Sequence, residues 1–153
     1  MNKERGFTII EVLVVIVIIL ALEAIVWAYL ARYDNKGKNS AIRGNLYTLA
    51  TKGVEYFEKN GNYNGFCTSE LGGALARNAI EALNVGGEFT CNCDDGSCGV
   101  DSTAWCACST LMATSDVALN TVFCVDSSGV KKEVNDTCPS ECPASGLNPG
   151  ACK

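Results

Sequence analysis

The chain has no histidine, only three prolines (Pro139, Pro143 and Pro149), and no cysteine before Cys67. Lack of imidazole removes the commonest general base and a usual companion of cysteine at zinc. There is no nucleophile elbow and no phosphate loop, and the carboxylates are scattered, so the chain reads as a non-enzyme. Basic residues are scarce in the C-terminal part: from Gly61 onward there are four, against eleven acidic ones. A surface of that sign is not suited to phosphates, and no direct nucleic-acid contact is expected. Residues 32–60 differ, with six basic and three acidic side chains. They suit anionic lipid or the acidic parts of neighbouring subunits. No internal repeat is present.

What the chain does have is ten cysteines: Cys67, Cys91, Cys93, Cys98, Cys106, Cys108, Cys124, Cys138, Cys142 and Cys152. That density in a small polar region points to an oxidising compartment, and all ten are disulfide candidates. Cys91-Asn-Cys93 and Cys106-Ala-Cys108 have period-two spacing, which places both sulfurs of each pair on one face of a strand. Bonding within such a pair is strained, so each sulfur is expected to reach another segment. The spacing does not choose the connectivity. Cys91, Cys93 and Cys98 with Cys106 or Cys108 also make a conceivable zinc set, against which stands the missing histidine. Asp94, Asp95 and Asp101 offer oxygens to calcium, although their order is not that of an EF-hand and an acidic turn is the simpler account. No cofactor is expected, with calcium the one candidate.

Residues 1–6 are polar and basic, and Phe7 opens an apolar run to Ala31 interrupted by Thr8, Glu11 and Glu23. As a helix it covers about 37 Å, enough to cross a bilayer. No A-x-A-like site follows, unlike an ordinary export signal. Lys3 and Arg5 precede the run, while Arg32, Lys36 and Lys38 follow it. Counting positive charges weakly favours a cytoplasmic C-terminal part. The cysteines require the opposite, and a dedicated route that fixes the N-terminus inside resolves the conflict. Glu11 is a carboxylate within an apolar helix, costing about 2.5–3.5 kcal/mol on insertion scales. A cut between Gly6 and Phe7 would create an α-ammonium one helical turn away, on the same or a neighbouring subunit, and pairing offsets the burial. Glu23 has two readings, a second buried contact between subunits or a water-accessible carboxylate near the outer membrane face.

The segment Lys3-Glu4-Arg5-Gly6-Phe7-Thr8-Ile9-Ile10-Glu11-Val12-Leu13-Val14-Val15-Ile16 resembles the processing site of type IV prepilins and type II secretion pseudopilins. The resemblance implies cleavage after Gly6 by a prepilin peptidase, N-methylation of Phe7, and use of Glu11 in subunit registration. It further implies a single-pass inner-membrane prepilin, moved by an inner-membrane assembly platform into an extracellular helical filament of this chain, alone or with other pilins. A role in adhesion, motility or surface attachment follows from that reading. A secretion pseudopilin, marked by calcium, and a DNA-uptake pilin are alternatives within the family. An anchored extracellular binding domain that never polymerises is the alternative of another class. Many members carry a proline partway along the helix; here Trp27-Ala28-Tyr29 has none, so no kink is expected.

Beyond Ala31 the pattern becomes amphipathic. Ile42, Leu46, Leu49, Gly53 and Phe57 recur every three or four residues, with Tyr47, Ala50 and Val54 alongside. Arg43, Lys52, Glu55 and Lys59 are expected outward. Gly37, Gly44 and Gly53 each weaken a helix by roughly 1 kcal/mol, so Asp34–Asn39 is expected to be loosened or bent. Asn60–Gly65 reads as the helix exit. A second helix is expected over Ser69–Leu83, with Leu71, Leu75, Ala79 and Leu83 on one face. Ala104–Leu111 and Thr121–Asp126 read as strands, and Val130–Val134 returns through a Ser127-Ser128-Gly129 turn. From Asn135 an irregular tail needs staples. The expected fold is α+β: a long N-terminal helix with a small antiparallel sheet and disulfide-stapled loops. Its divisions are a leader (1–6), a membrane or filament-core helix (7–31), an amphipathic extension (32–60) and a cysteine-rich head (61–153).

Overall fold

A computed structural model describes residues 8–84, 86–143 and 150–152. They form α1 (Ile9–Asn60), a 3-10 turn (Phe66–Thr68), α2 (Gly73–Leu83), β1 (Phe89–Cys93), β2 (Trp105–Thr110), β3 (Thr121–Asp126), β4 (Lys131–Asn135) and α3 (Cys138–Glu141). The class is α+β, as expected. Two compact units divide the chain, Met1–Asp34 and Asn35–Lys153. In the first, α1 presents apolar side chains to its surroundings, from Ile9 to Leu30.

In the second unit the strands form an antiparallel meander in the order β1-β2-β3-β4. Cys91 lies opposite Ala107, Cys108 opposite Cys124, and Phe123 opposite Glu133. This register and the strand alternation give the sheet two distinct faces. One carries Cys91, Cys93, Trp105, Ala107, Phe123 and Val125, and joins Ile42, Leu46 and Leu49 of α1 in the main core. The other carries Cys106, Cys108, Val122 and Cys124, packed with Cys138, Cys142, Val134 and Cys152. Both faces are therefore covered, the second by a cluster made mostly of sulfur.

The stripe on α1 runs Asn39, Ile42, Leu46, Leu49, Gly53, all buried. Asn39 heads it because its amide clamps a distant loop: Nδ2 donates to the Met112 carbonyl at 2.8 Å, and the Met112 N–H donates back to Oδ1 at 2.7 Å. Phe57 and Val54 depart from expectation and are exposed. Gly53 rests on Trp105, the first residue of β2, and one turn further on Phe57 meets the ring of Tyr63 at 5.1 Å. Arg43 is not free in solvent either, but reaches Glu133 on β4, Nε to Oε1 2.5 Å. The loosening expected at Asp34–Asn39 is absent from the secondary structure, which stays helical throughout.

Gly53 is a packing residue. A Cβ there would lie 2.7 Å from the ring of Trp105, which is 1% exposed and enclosed by Phe66 and Tyr63. Gly44 faces open space, with nothing within 4 Å of a Cβ. Substitution by alanine should therefore act with opposite signs at the two sites. Gly53→Ala overpacks the core and lowers stability by about 1–3 kcal/mol, whereas Gly44→Ala gains about 1 kcal/mol of helix propensity. Thermal unfolding of the detergent-extracted chain checks this, and shifts of the same sign would remove Trp105 as the cause.

Gly61, at φ 73°, ends α1 as expected, its N–H returning to the Phe57 carbonyl at 2.7 Å. The second helix starts later than expected and turns a different face inward. Gly73, Ala76 and Ile80 are buried, while Leu71 and Leu75 are exposed. A Cβ on Gly73 would stand 2.2 Å from the Cys67 carbonyl oxygen. Only a glycine permits that approach, so small residues rather than leucines select the buried face.

Candidate assembly segment and cysteine framework

Ile9–Trp27 is long and apolar enough to cross a membrane, and none of it is buried by the described residues. The helix begins with a reciprocal cap. The Thr8 backbone N–H donates to Glu11 Oε2 at 3.0 Å, as does its hydroxyl, while the Glu11 N–H donates to Thr8 Oγ1 at 3.3 Å. This is a capping box, satisfying two amides that the first turn leaves open. Its signature, Thr-x-x-Glu before an apolar run, is visible in the sequence and adds a local duty to Glu11. Gly6 and Phe7, the expected processing residues, lie outside the described residues. Glu23 sits on α1 within the apolar span, exposed and one turn before Trp27. Trp27, Tyr29 and Tyr33 are likewise exposed, an aromatic group of the kind that settles at a membrane–water boundary.

Among the described residues three disulfides form: Cys67–Cys91, Cys93–Cys98 and Cys106–Cys142. The first ties the 3-10 turn to β1, the second closes a short loop, and the third fastens the C-terminal segment to β2. Each leaves its own C-x-C pair, and each such pair does place its sulfurs on one sheet face. The zinc set is not assembled. Cys91 and Cys93 share a face with Trp105 and Ala107, so Cys106 and Cys108 point to the opposite side. Sulfur atoms of Cys67, Cys93 and Cys98 do lie within 4.8 Å of one another, as two neighbouring disulfides.

Two carboxylates of the 94–103 loop, Asp94 and Asp95, turn to its own amides. Asp95 accepts from the N–H groups of Ser97 at 3.1 Å, Cys98 at 2.6 Å and Gly99 at 2.5 Å. Asp94 accepts from Thr103 N–H at 2.9 Å and its hydroxyl at 2.5 Å. Asp101 takes a left-handed backbone, φ 64°, at the far end of the loop. Desolvation alone would raise the Asp95 pKa; the Ser97 and Gly99 amides outweigh it and hold the carboxyl at about 2. Because the folded value lies below the ordinary one, this contribution to stability is present above the usual carboxylate range and fades as pH falls towards about 2. A carboxyl NMR titration should find the Asp95 midpoint near that value; an ordinary midpoint would remove its role as the loop's anchor.

Asp126 is a buried polar residue that pattern reading did not single out. Its Oδ1 receives the Ser128 N–H at 2.9 Å, the Ser128 hydroxyl at 2.7 Å and the Val130 N–H at 3.0 Å, while Oδ2 receives the Cys152 N–H at 3.0 Å. It thus shapes the β3–β4 turn and holds the C-terminus. The Asp-Ser-Ser-Gly turn was the available signal; the tail contact had none.

Residues 1–22 match the prokaryotic N-terminal methylation motif. The chain is 33% identical over 75 residues to the type IV major pilin protein PilA of Myxococcus xanthus (strain DK1622). That match covers 49% of this chain and 34% of the relative, so it spans about a third of the relative's length. No solved structure matches. The chain thus carries the N-terminal methylation motif and is similar, over part of its length, to a type IV pilin.

Proposed function

We propose that the chain is a subunit of a type IV pilus-like filament, built by packing its apolar N-terminal helices together. One observation carries the reading: a methylation motif at residues 1–22 runs into a 19-residue apolar span that has no cover among the described residues. Such a surface is stable in lipid before assembly and against other such helices afterwards. A prepilin peptidase cuts after Gly6 and methylates Phe7. Glu11 then meets the new α-ammonium, and an inner-membrane platform transfers the helix from the membrane to the filament. Trp27, Tyr29 and Tyr33 mark the outer boundary, and Glu23 beside them is the water-accessible carboxylate. The head travels outside the cell, where its disulfides persist, and serves attachment or motility. Asp94 and Asp95 supply a loop that holds together through amides, which supports a head that works without calcium.

Mass spectrometry of the mature N-terminus tests this proposal. The expected species begins at methylated Phe7 and comes from sheared surface filaments. An N-terminus at any other residue, or protein found only as single chains in membranes, would overturn it.

A further inference from the structure

Four cysteines lie beyond the three bonds described: Cys108 on β2, Cys124 on β3, Cys138 on α3 and Cys152 near the C-terminus. All belong to the sulfur-rich second face of the sheet. We infer that in the exported protein they form two further disulfides, Cys108–Cys138 and Cys124–Cys152, so that all ten cysteines are paired.

Matched spacings support the first. Cys106 and Cys108 are two residues apart on one strand face, about 7 Å. Cys138 and Cys142 are four apart across one helical turn, about 6 Å. With Cys106 bonded to Cys142, the segment lies along β2 in the sense that brings Cys138 over Cys108. The Cys108 thiol is in contact with those of both Cys124 and Cys138, and the Cys138 sulfur also lies 3.9 Å from the Glu88 carbonyl, which accepts from Thr110 beyond Cys108 on β2. For the second, the Cys152 N–H is fixed on Asp126 at 3.0 Å. Asp126 is two residues from Cys124 on the same face of β3, and the Cys152 thiol meets that of Cys124. Cys108 and Cys124 are also direct cross-strand neighbours. A bond between them would leave Cys138 and Cys152 without bonds to those neighbours, whereas the inferred pairing uses all four.

Each bond forms by thiol–disulfide exchange with an exported protein disulfide as oxidant. A cysteine thiolate attacks the oxidant's disulfide to give a mixed disulfide, and the partner thiolate displaces the oxidant's thiol. Two cysteines lose two protons and two electrons, and the oxidant's disulfide becomes a dithiol. Cys108 and Cys124 are fully buried in the folded head, out of reach of a protein oxidant, so exchange has to precede docking of the tail. The inference requires export of the head but not assembly: a chain that never polymerised would show the same thiol count.

The test uses full-length mature protein, alkylated with N-ethylmaleimide in acidic denaturant without reductant and then weighed. The expected product carries no adduct and weighs ten hydrogens less than the reduced chain with its ten cysteines. Cys152→Ser should gain one adduct, at Cys124, and Cys138→Ser one, at Cys108. Four adducts on the wild-type chain would overturn the inference, as would two adducts with a Cys108–Cys124 link. Four adducts with one zinc per chain by elemental analysis would replace it with a metal site. The wild-type measurement decides between these even if a variant fails to fold.

Discussion

Glu11→Ala should abolish incorporation into filaments while leaving the head folded, and Glu11→Gln should do the same. The two substitutions separate the observed cap from the proposed charge pairing. Its carboxylate caps the first turn of α1 through Thr8, and glutamine can serve in that box as glutamate does. Losing a cap costs about 0.5–2 kcal/mol. In the proposed filament, a Phe7 ammonium left buried without a counter-charge would cost about 3–5 kcal/mol, at least a hundredfold in the equilibrium for adding each subunit. The charge term is the larger, so both variants fail. Thr8→Ala loses the cap but keeps the charge, and should assemble with a modest deficit. Sheared filament yield, with total membrane-held protein as control, is the readout. Wild-type yield from the glutamine variant would assign Glu11 to the cap and remove it from registration.

The parts of the fold that could be read in advance are those decided by near neighbours. The apolar span, the left-handed exit at Gly61 and the β3–β4 hairpin each follow from residues adjacent in sequence. Capping of α1 belongs with them, since Thr8 and Glu11 are three apart. Longer-range features escaped for a common reason. Asn39 binds Met112 across 73 positions, and no local pattern marks a polar residue at the head of an apolar stripe. Gly53 looks like a weak point in a helix until Trp105 is placed against it. In α2, periodicity favoured the leucines, but the close approach of Gly73 to Cys67 turned the small residues inward. The cysteines show the same boundary. Period-two spacing predicts which of them share a sheet face, yet their partners depend on register and on where the tail docks.

Removing both staples between β2 and the tail should cost more than the sum of removing each. Cys106–Cys142 closes a separation of 36 residues, and the inferred Cys108–Cys138 bond closes nearly the same loop. With one in place, the other restrains only the few residues between the two crosslinks. Chain-entropy reasoning then gives about 2 kcal/mol for losing either bond alone, but about 6 kcal/mol for losing both. The excess over the sum of the two single losses, about 2 kcal/mol, is a coupling energy, and it cancels the packing lost when buried sulfur is replaced by alanine. The measurement is urea unfolding of the wild type, Cys106→Ala/Cys142→Ala, Cys108→Ala/Cys138→Ala and the quadruple variant. Were Cys108 and Cys138 thiols, their replacement would remove packing alone and the coupling would fall to zero. A positive coupling means that the tail is held twice at one place. That fits a sheet face whose core is too small to hold the segment by apolar burial.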